Sequence, residues 1–223
     1  MDLRVVVWNA HGLRAGVAAA AEALARLRPD LVMLNEVGWS GWRLARLARA
    51  LDARAASGLR RLRWSVTNAV LVLPPWRLLR TRTIRLPGRS RPHRGVVASL
   101  IGRSGYRLTA ASVHLGLSDP ERREHARDLT DRILPELRPP VLLGGDLNEP
   151  PEGPAARWMA ERLWDAFAQA GQGPGETFPA RDPRARIDYL LVPEGVTVAR
   201  AFVDRDAAEA SDHLPLVVDL ELA

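Results

Sequence analysis

A carboxylate and an amide lie two residues apart at the end of an apolar run. The run at residues 141–145 ends in two glycines, and Asp146 and Asn148 follow it. This pattern predicts a buried strand that ends in a polar loop. Side chains at i and i+2 of an extended segment point to the same face, so both groups can converge on a water molecule or a phosphate oxygen. An Asx-turn that caps the strand is the alternative explanation.

Other polar side chains follow predicted strands along the whole chain. Taken singly, Glu36 is typical of a surface acid and His114 of a half-buried histidine. Together, three or four carboxylates, two histidines and several amides form the oxygen-rich kind of site that Mg²⁺ or Mn²⁺ prefers. The candidates are Asn9, Glu36, Asn68, His114, Asp146, Asn148, Asp188, Asp212 and His213.

The elements that must position these residues alternate between helices and strands. Helices are predicted at 17–27, 41–51, 119–137 and 153–163, with 165–170 as an extension of the last. Strands are predicted at 3–8, 31–34, 62–66, 68–73, 78–86, 95–101, 106–114, 141–145, 186–192, 196–203 and 214–220. Two strand-rich parts, each with helices, favour an α+β sandwich of two sheets flanked by helical layers.

The composition favours one globular domain over residues 1–223. Hydrophobic residues make up 47% of the chain and charged residues 26%, and no linker divides it. The absence of cysteine excludes disulfides and thiolate metal sites. No apolar run approaches the ~20 residues needed to span a bilayer, and no signal-peptide pattern precedes the first strand. We therefore expect no membrane span, a cytoplasmic location and no obligate protein partner.

The basic residues are all arginine, and the net charge is +6. Arginine binds phosphate through two parallel hydrogen bonds, so the charge is compatible with a nucleic acid or another phosphorylated partner. Codon usage is the alternative source of the arginine bias. Seven arginines within 77–94 predict either a basic loop beside the site or a solvated strand face. They are Arg77, Arg80, Arg82, Arg85, Arg89, Arg91 and Arg94.

Seven short motifs, taken together and in this order, resemble the endonuclease/exonuclease/phosphatase superfamily, which has the deoxyribonuclease-I-like fold. The resemblance implies a four-layer αββα sandwich with two mixed, mainly antiparallel β-sheets packed face to face. The motifs are Trp8-Asn9-Ala-His-Gly12, Leu34-Asn-Glu36, Thr67-Asn68-Ala-Val-Leu, Val113-His114-Leu, Gly145-Asp146-Leu-Asn148, Arg186-Ile-Asp188-Tyr and Ser211-Asp212-His213-Leu-Pro215.

The resemblance also implies a Mg²⁺- or Mn²⁺-dependent phosphoesterase and a role for each motif residue. The implied metal ligands are Glu36 as the principal one, Asn9, Asp146 and Asp212. The implied catalytic residues are Asp146, which orients or deprotonates the attacking water; Asn148, which holds a phosphate oxygen; His213, which stabilises the pentacoordinate phosphorus; Asp188, which fixes the tautomer of His213; and His114, which protonates the leaving oxygen. Asn68 and Arg94 are implied substrate contacts, against the alternatives of a turn asparagine and a solvated arginine.

Two departures from the family pattern bear on the substrate. Apurinic-site endonucleases usually have an aspartate and a tyrosine where this chain has His11 and His114, so the chain resembles the deoxyribonuclease, sphingomyelinase and small-phosphatase branches more. His11 leaves open whether a full second metal site forms.

We predict a nuclease that cuts DNA or RNA. A phosphatase or phosphodiesterase acting on a small or lipid phosphate is the alternative, and Trp39-Ser-Gly-Trp42 and Pro74-Pro-Trp76 are its candidate apolar loops. A non-catalytic nucleic-acid-binding module is an alternative of another class, disfavoured because carboxylates would face phosphate.

Overall fold

The computed structural model describes residues 1–39, 41–58, 66–88 and 93–223. Ser40, Arg89, Arg91 and most of the predicted strand at 62–66 lie outside these ranges. The strands are β1 (Asp2–Asn9), β2 (Leu31–Asn35), β3 (Arg54–Ser57), β4 (Ala69–Val72), β5 (Arg77–Arg85), β6 (Gly95–Arg103), β7 (Tyr106–His114), β8 (Val141–Asp146), β9 (Trp164–Asp165), β10 (Gly171–Gln172), β11 (Asp188–Val192), β12 (Thr197–Val203) and β13 (Leu216–Glu221). The α-helices are α1 (Val17–Leu27), α2 (Gly41–Ala50), α3 (Asp119–Asp128), α4 (Pro154–Ala160) and α5 (Ala166–Ala170).

The strands form two mixed sheets. One has seven strands in the order β10-β12-β13-β1-β2-β4-β3, and the other has six in the order β5-β6-β7-β8-β11-β9. Most neighbours are antiparallel, and the parallel pairs are β1 with β2, β10 with β12 and β7 with β8. The predicted sandwich of two mixed, mainly antiparallel sheets is confirmed.

Three apolar cores hold the four layers together. The alternation of side chains along each strand sends Val5, Met33 and Leu142 between the two sheets. Val6 and Val32 point the other way, onto α1 and α2. The outer face of the six-stranded sheet packs on α3 and α4. Each sheet is therefore apolar on both faces. For this reason the strands appear in the amino-acid sequence as continuous apolar runs.

Several predicted elements differ in their bounds. The predicted helix at 119–137 is α-helical only to Asp128 and continues as a π-helical turn, Leu129–Ile133, and a 3₁₀ turn, Leu134–Glu136. Thr130 Oγ1 donates to the Ala126 carbonyl oxygen, and Pro135 has no N–H for the helical ladder, so the regular pattern ends. The segment 165–170 is no extension of α4, because the short strand β9 precedes α5.

Residues 54–57 were not predicted to be extended. Arg-Ala-Ala-Ser lacks the alternation that marks a strand, and its pairing with β4 creates β3. None of the helices in the described ranges combines the length and apolar character needed to cross a membrane. The single domain over 1–223 and the cytoplasmic location stay predictions.

Candidate active site

Three side chains lie in one row at the same end of the six-stranded sheet. β7 and β8 run parallel and place His114 opposite Asp146, while β11 runs antiparallel to β8 and places Asp188 opposite Asp146. Residues paired in register point their side chains to the same side of a sheet. All three residues are at most 1% exposed. Strand register alone therefore brings these three predicted residues together.

The seven-stranded sheet supplies two more side chains. Asn9, the last residue of β1, donates from Nδ2 to Asp146 Oδ2 at 3.0 Å. His213 lies in the loop before β13, and its carbonyl oxygen accepts a hydrogen bond from Nε1 of the buried Trp8 at 2.8 Å. Asn9 and His213 thus approach Asp146 from the opposite sheet.

A buried amide, Asn35, joins the two sheets beside Asp146. Its Oδ1 accepts from the backbone N–H of Asp146 at 2.8 Å, and its Nδ2 donates to the Val113 carbonyl oxygen at 2.8 Å. Gly145 has a φ of 152°, and a Cβ there would lie 1.8 Å from the same Val113 oxygen, so glycine is required. Asn35 is absent from the residues predicted for the site, and its only signal is an amide at the end of an apolar strand.

His213 and Asp188 form a hydrogen-bonded pair, with Nδ1 and Oδ2 2.8 Å apart. Burial lowers the pKa of His213, but the charge and hydrogen bond of Asp188, followed by the charge of Asp146, raise it to about 9. At Asp188, burial raises the pKa of the carboxyl above its usual value. The imidazole is therefore protonated at neutral pH. Its Nδ1–H donates to Asp188, and its Nε2 lies 3.8 Å from Asp146 Oδ2.

Asp146 is a buried carboxylate that stays ionised. Burial by itself raises the pKa of Asp146, but the imidazoles of His114 and His213 and the hydrogen bond from Asn9 hold it well below its usual range. His114 Nε2 lies 3.3 Å from Oδ2, and the backbone N–H of Asn148 donates to Oδ1 at 2.8 Å. Such a carboxylate is an oriented hydrogen-bond acceptor and a weak base.

Arg94 belongs to the site and is not a solvated arginine. It is 8% exposed, and its Nη1 lies 2.7 Å from Nδ1 and 2.9 Å from Nε2 of His114. Burial lowers the pKa of Arg94, while the charges of Glu36 and Asp146 oppose the shift. Its Nε has no hydrogen-bond partner within the described ranges. Because a guanidinium stays protonated in proteins, Arg94 adds a buried positive charge beside His114.

Asn68 and Asn148 differ in how many side-chain N–H groups remain available to a ligand. Asn68 Nδ2 donates to the carbonyl oxygens of Gly95 at 2.8 Å and Ser112 at 3.1 Å, so both of its N–H groups are used. Asn68 therefore holds the ends of β6 and β7 that lie at the site. Neither N–H group is available for the predicted contact with substrate, which stays a prediction. Asn148 uses one amide N–H on the Leu115 carbonyl oxygen at 3.1 Å, which leaves the other for a ligand.

Two of the predicted metal ligands, Asn9 and Asp146, are buried and in contact, whereas Glu36 and Asp212 are more exposed. Glu36 is half-buried, and within the described part of the chain no hydrogen bond or ion pair engages its carboxylate. Asp212 Oδ2 lies 3.5 Å from His11 Nδ1. The only described acid and histidine set with all ligand atoms within 4.8 Å is Asp146, Asp188 and His213. Within that set, Nδ1 of His213 and Oδ2 of Asp188 lie 2.8 Å apart in a hydrogen bond, and Nε2 of His213 faces Asp146.

The arginines of β5 lie mostly away from the site. β5 is an edge strand, with Arg85 opposite Gly95 at the site end and Arg77 opposite Gly102 at the far end. Eight residues of extended chain separate these ends by roughly 26 Å. Arg82 pairs with Glu136 at 2.8 Å. The exposed arginines of β5 therefore fit the solvated-face alternative, in which charge protects a sheet edge.

Two grooves flank the rim of the site. One, of about 300 Å³, is lined by His11, Arg181 and Asp212 among others. The other, of about 410 Å³, is lined by Gly12, Arg14, Glu36, Gly38, Trp39, Arg43 and Thr67. His11 lines the first groove and Arg14 the second, and Arg14 Nη1 lies 3.1 Å from His11 Nε2.

Comparisons with known proteins agree with this arrangement. The sequence profile of the Endonuclease/Exonuclease/phosphatase family matches residues 6–213. No curated protein sequence matches the chain. The fold is similar to that of an endonuclease/exonuclease/phosphatase from Bacteroides vulgatus, with a TM-score of 0.84, 17% identity and full coverage of both chains.

Two further solved structures share the fold. A mannosyl-6-phosphatase from Bacteroides thetaiotaomicron has a TM-score of 0.84 and 16% identity, with 99% of this chain and 100% of that one covered. The human Nocturnin catalytic domain with a bound sulfate anion has a TM-score of 0.79 and 20% identity, with 100% and 95% covered.

Proposed function

We propose that this chain, which belongs to the endonuclease/exonuclease/phosphatase family, hydrolyses phosphodiester bonds of DNA or RNA with the aid of Mg²⁺ or Mn²⁺. As a member of that family it is a phosphoesterase. The observation that carries the proposal is the buried Asp146 carboxylate, whose Oδ2 lies 3.3 Å from Nε2 of His114 and 3.8 Å from Nε2 of His213.

The geometry supports a simple division of tasks in an in-line attack by water. Asp146, fixed by Asn9 and Asn148, orients the water towards phosphorus and takes its proton as the new P–O bond forms. Nε2–H of His213 donates to a phosphoryl oxygen and stabilises the negative charge of the transition state. His114, with Arg94 beside it, is placed to protonate the leaving oxygen.

The residues at the rim fit a divalent cation. Mg²⁺ is usually held by one or two carboxylates together with water molecules, and Glu36 offers a carboxylate that no described residue engages. We propose Glu36 as the principal ligand, with Asn9, Asp146 and Asp212 as further ligands. Such an ion, when bound, neutralises phosphate charge and lowers the pKa of a water molecule.

The surroundings of the site offer room for a substrate larger than a phosphate group. Two grooves lie beside proposed metal ligands, one lined by Asp212 and the other by Glu36, and a phosphodiester carries an organic group on each side of phosphorus. The net charge of +6 favours an anionic polymer as well.

The test is hydrolysis of plasmid DNA, single-stranded RNA, bis-p-nitrophenyl phosphate and p-nitrophenyl phosphate, each with Mg²⁺, Mn²⁺ or EDTA. We expect metal-dependent cutting of a nucleic acid and faster turnover of the diester. An Asp146→Asn preparation is the control for contaminating nucleases. Turnover confined to the monoester would contradict the proposal. Binding of nucleic acid without turnover in any metal would favour the non-catalytic module.

A phosphatase that acts on a phosphate monoester is the second candidate. Buried Arg94 and protonated His213 place two positive charges around Asp146, and a dianionic phosphate would be bound by both. The diester and monoester pair of substrates decides between the two candidates.

A further inference from the structure

We propose that Trp39 and Arg14 form a subsite that stacks a nucleobase of the substrate beside the scissile phosphate. The inference rests on the proposed nuclease function and names the group that the enzyme recognises. It starts from the 410 Å³ groove at the rim of the site, which we call the Trp39 groove.

Two lining residues connect the Trp39 groove to the candidate active site. Glu36 follows Asn35, whose Oδ1 accepts the backbone N–H of Asp146 at 2.8 Å. Thr67 precedes Asn68, whose Nδ2 holds the ends of β6 and β7 at the site. The groove therefore borders the residues proposed to hold the phosphate. The volume of the groove lies within the range of pockets that bind small ligands, about 300–1,000 Å³.

The indole of Trp39 is exposed, and no hydrogen bond or ring contact joins it to another residue in the described ranges. The residue is 65% exposed, although tryptophan is on average well buried in folded proteins. Trp42, on α2, is exposed to a similar extent at 58%, but it does not line the groove. Its ring is covered by the Arg43 guanidinium, 5.5 Å from the ring centroid.

Hydrogen bonds hold the backbone just before Trp39. The Gly12 N–H donates to the Glu36 carbonyl oxygen at 2.6 Å, and the Val37 N–H donates to the Thr67 carbonyl oxygen at 2.9 Å. Arg43 Nη1 donates to the Gly12 carbonyl oxygen at 3.1 Å. The floor of the groove is therefore held by contacts among its own lining residues.

The groups around the indole favour a nucleobase. Every base has a flat face that stacks on an aromatic ring, and an arginine beside the stack binds phosphate or the ring itself. Arg14 is exposed and lines the groove. A sugar would need several acceptors for its hydroxyl groups, and the side-chain acceptors among the described lining residues are Glu36 and Thr67. One exposed ring offers too little apolar surface for an acyl chain.

The experiment compares two labelled decamers with the same backbone. One is oligothymidylate, and the other carries tetrahydrofuran abasic residues in place of every base, so phosphates and charge are equal. Fluorescence anisotropy in EDTA measures binding without cleavage, and cleavage is followed separately with Mg²⁺ or Mn²⁺. The variants are Trp39→Ala, Trp39→Phe and, as a matched control, Trp42→Ala.

We expect the wild-type protein to bind the oligothymidylate about tenfold more tightly than the abasic decamer. Trp39→Ala should abolish that ratio, while Trp39→Phe and Trp42→Ala should retain most of it. A ratio near one in the wild type, or a ratio that survives Trp39→Ala, would overturn the subsite. Base-dependent binding without cleavage would leave the subsite standing and refute the nuclease. Cleavage together with base-independent binding would refute the subsite and support the nuclease function.

Discussion

Asp146 and Asp188 face each other in register across two antiparallel strands, yet their surroundings shift their pKa values in opposite directions. The imidazoles near Asp146 hold its pKa below the usual range, whereas burial raises the pKa of Asp188. Different tasks follow from this difference. In the proposed mechanism, Asp146 stays ionised and orients the attacking water, and Asp188 positions the ring of His213.

Replacing Asp146 by asparagine should nearly abolish hydrolysis. The amide has almost the same shape but lacks the charge between the two imidazoles, so we expect a loss of about 10²–10⁴ in kcat. Diester hydrolysis under saturating substrate is the measurement. Asp206→Asn, at a carboxylate with an 82% exposed side chain, is the matched control and should keep full activity. A wild-type rate in both variants would exclude Asp146 from the mechanism.

The rate should fall as the pH rises through about 9, the pKa of His213. The imidazole is protonated below that pH and loses the donated Nε2–H above it. Asp188→Asn removes the charge that raises this pKa, so the basic limb should move to lower pH. The pH profile of kcat/KM and an NMR titration of the His213 ring both measure the shift. An unmoved ring titration in Asp188→Asn would refute this role of Asp188.

Removal of the divalent metal should stop hydrolysis, and Glu36→Gln should raise the metal concentration needed for half-maximal rate. A neutral amide binds Mg²⁺ more weakly than a carboxylate, so we expect an increase of at least about tenfold. Metal titrations of activity, with Mn²⁺ binding followed by electron paramagnetic resonance, are the measurements. Glu161→Gln, at an exposed carboxylate beside Arg162, serves as control. Equal metal curves for wild type and Glu36→Gln would require another principal ligand.

Asn35→Ala should destabilise the fold as well as the site. It leaves the Asp146 N–H and the Val113 carbonyl oxygen without their partner in a buried place, at a cost of about 2–4 kcal/mol in the free energy of unfolding. Urea denaturation measures this change. Ser99→Ala is the control, because Ser99 is equally buried and its Oγ has no partner within the described ranges. Comparable stability of the two variants would show that Asn35 does not join the sheets.

The sequence predicted the sheets and the catalytic row because each depends on local patterns. Apolar runs ending in a polar residue mark β1, β7 and β8, and the last residues of these strands are Asn9, His114 and Asp146. Register between neighbouring strands then brings these residues together, because the strand ends that carry them lie at one edge of the sandwich.

What the sequence could not predict depends on partners far along the chain. Asn35 bonds residues 78 and 111 positions away, so nothing near it indicates a bridge between sheets. Asn68 resembles a substrate contact until its two carbonyl partners are known. β5 showed a row of arginines, but only its pairing with β6 reveals that most of them point away from the catalytic end.

The contacts that build the site join very distant residues: Asn9 bonds Asp146 across 137 positions, and Trp8 bonds His213 across 205. Loops of that length close late in folding, because their entropy must be overcome before the contacts form. No partly folded chain can therefore hold the nucleophile, the proton donor and their supports together. During refolding, recovery of hydrolysis should follow the slowest structural phase, which makes catalysis a reporter of complete folding.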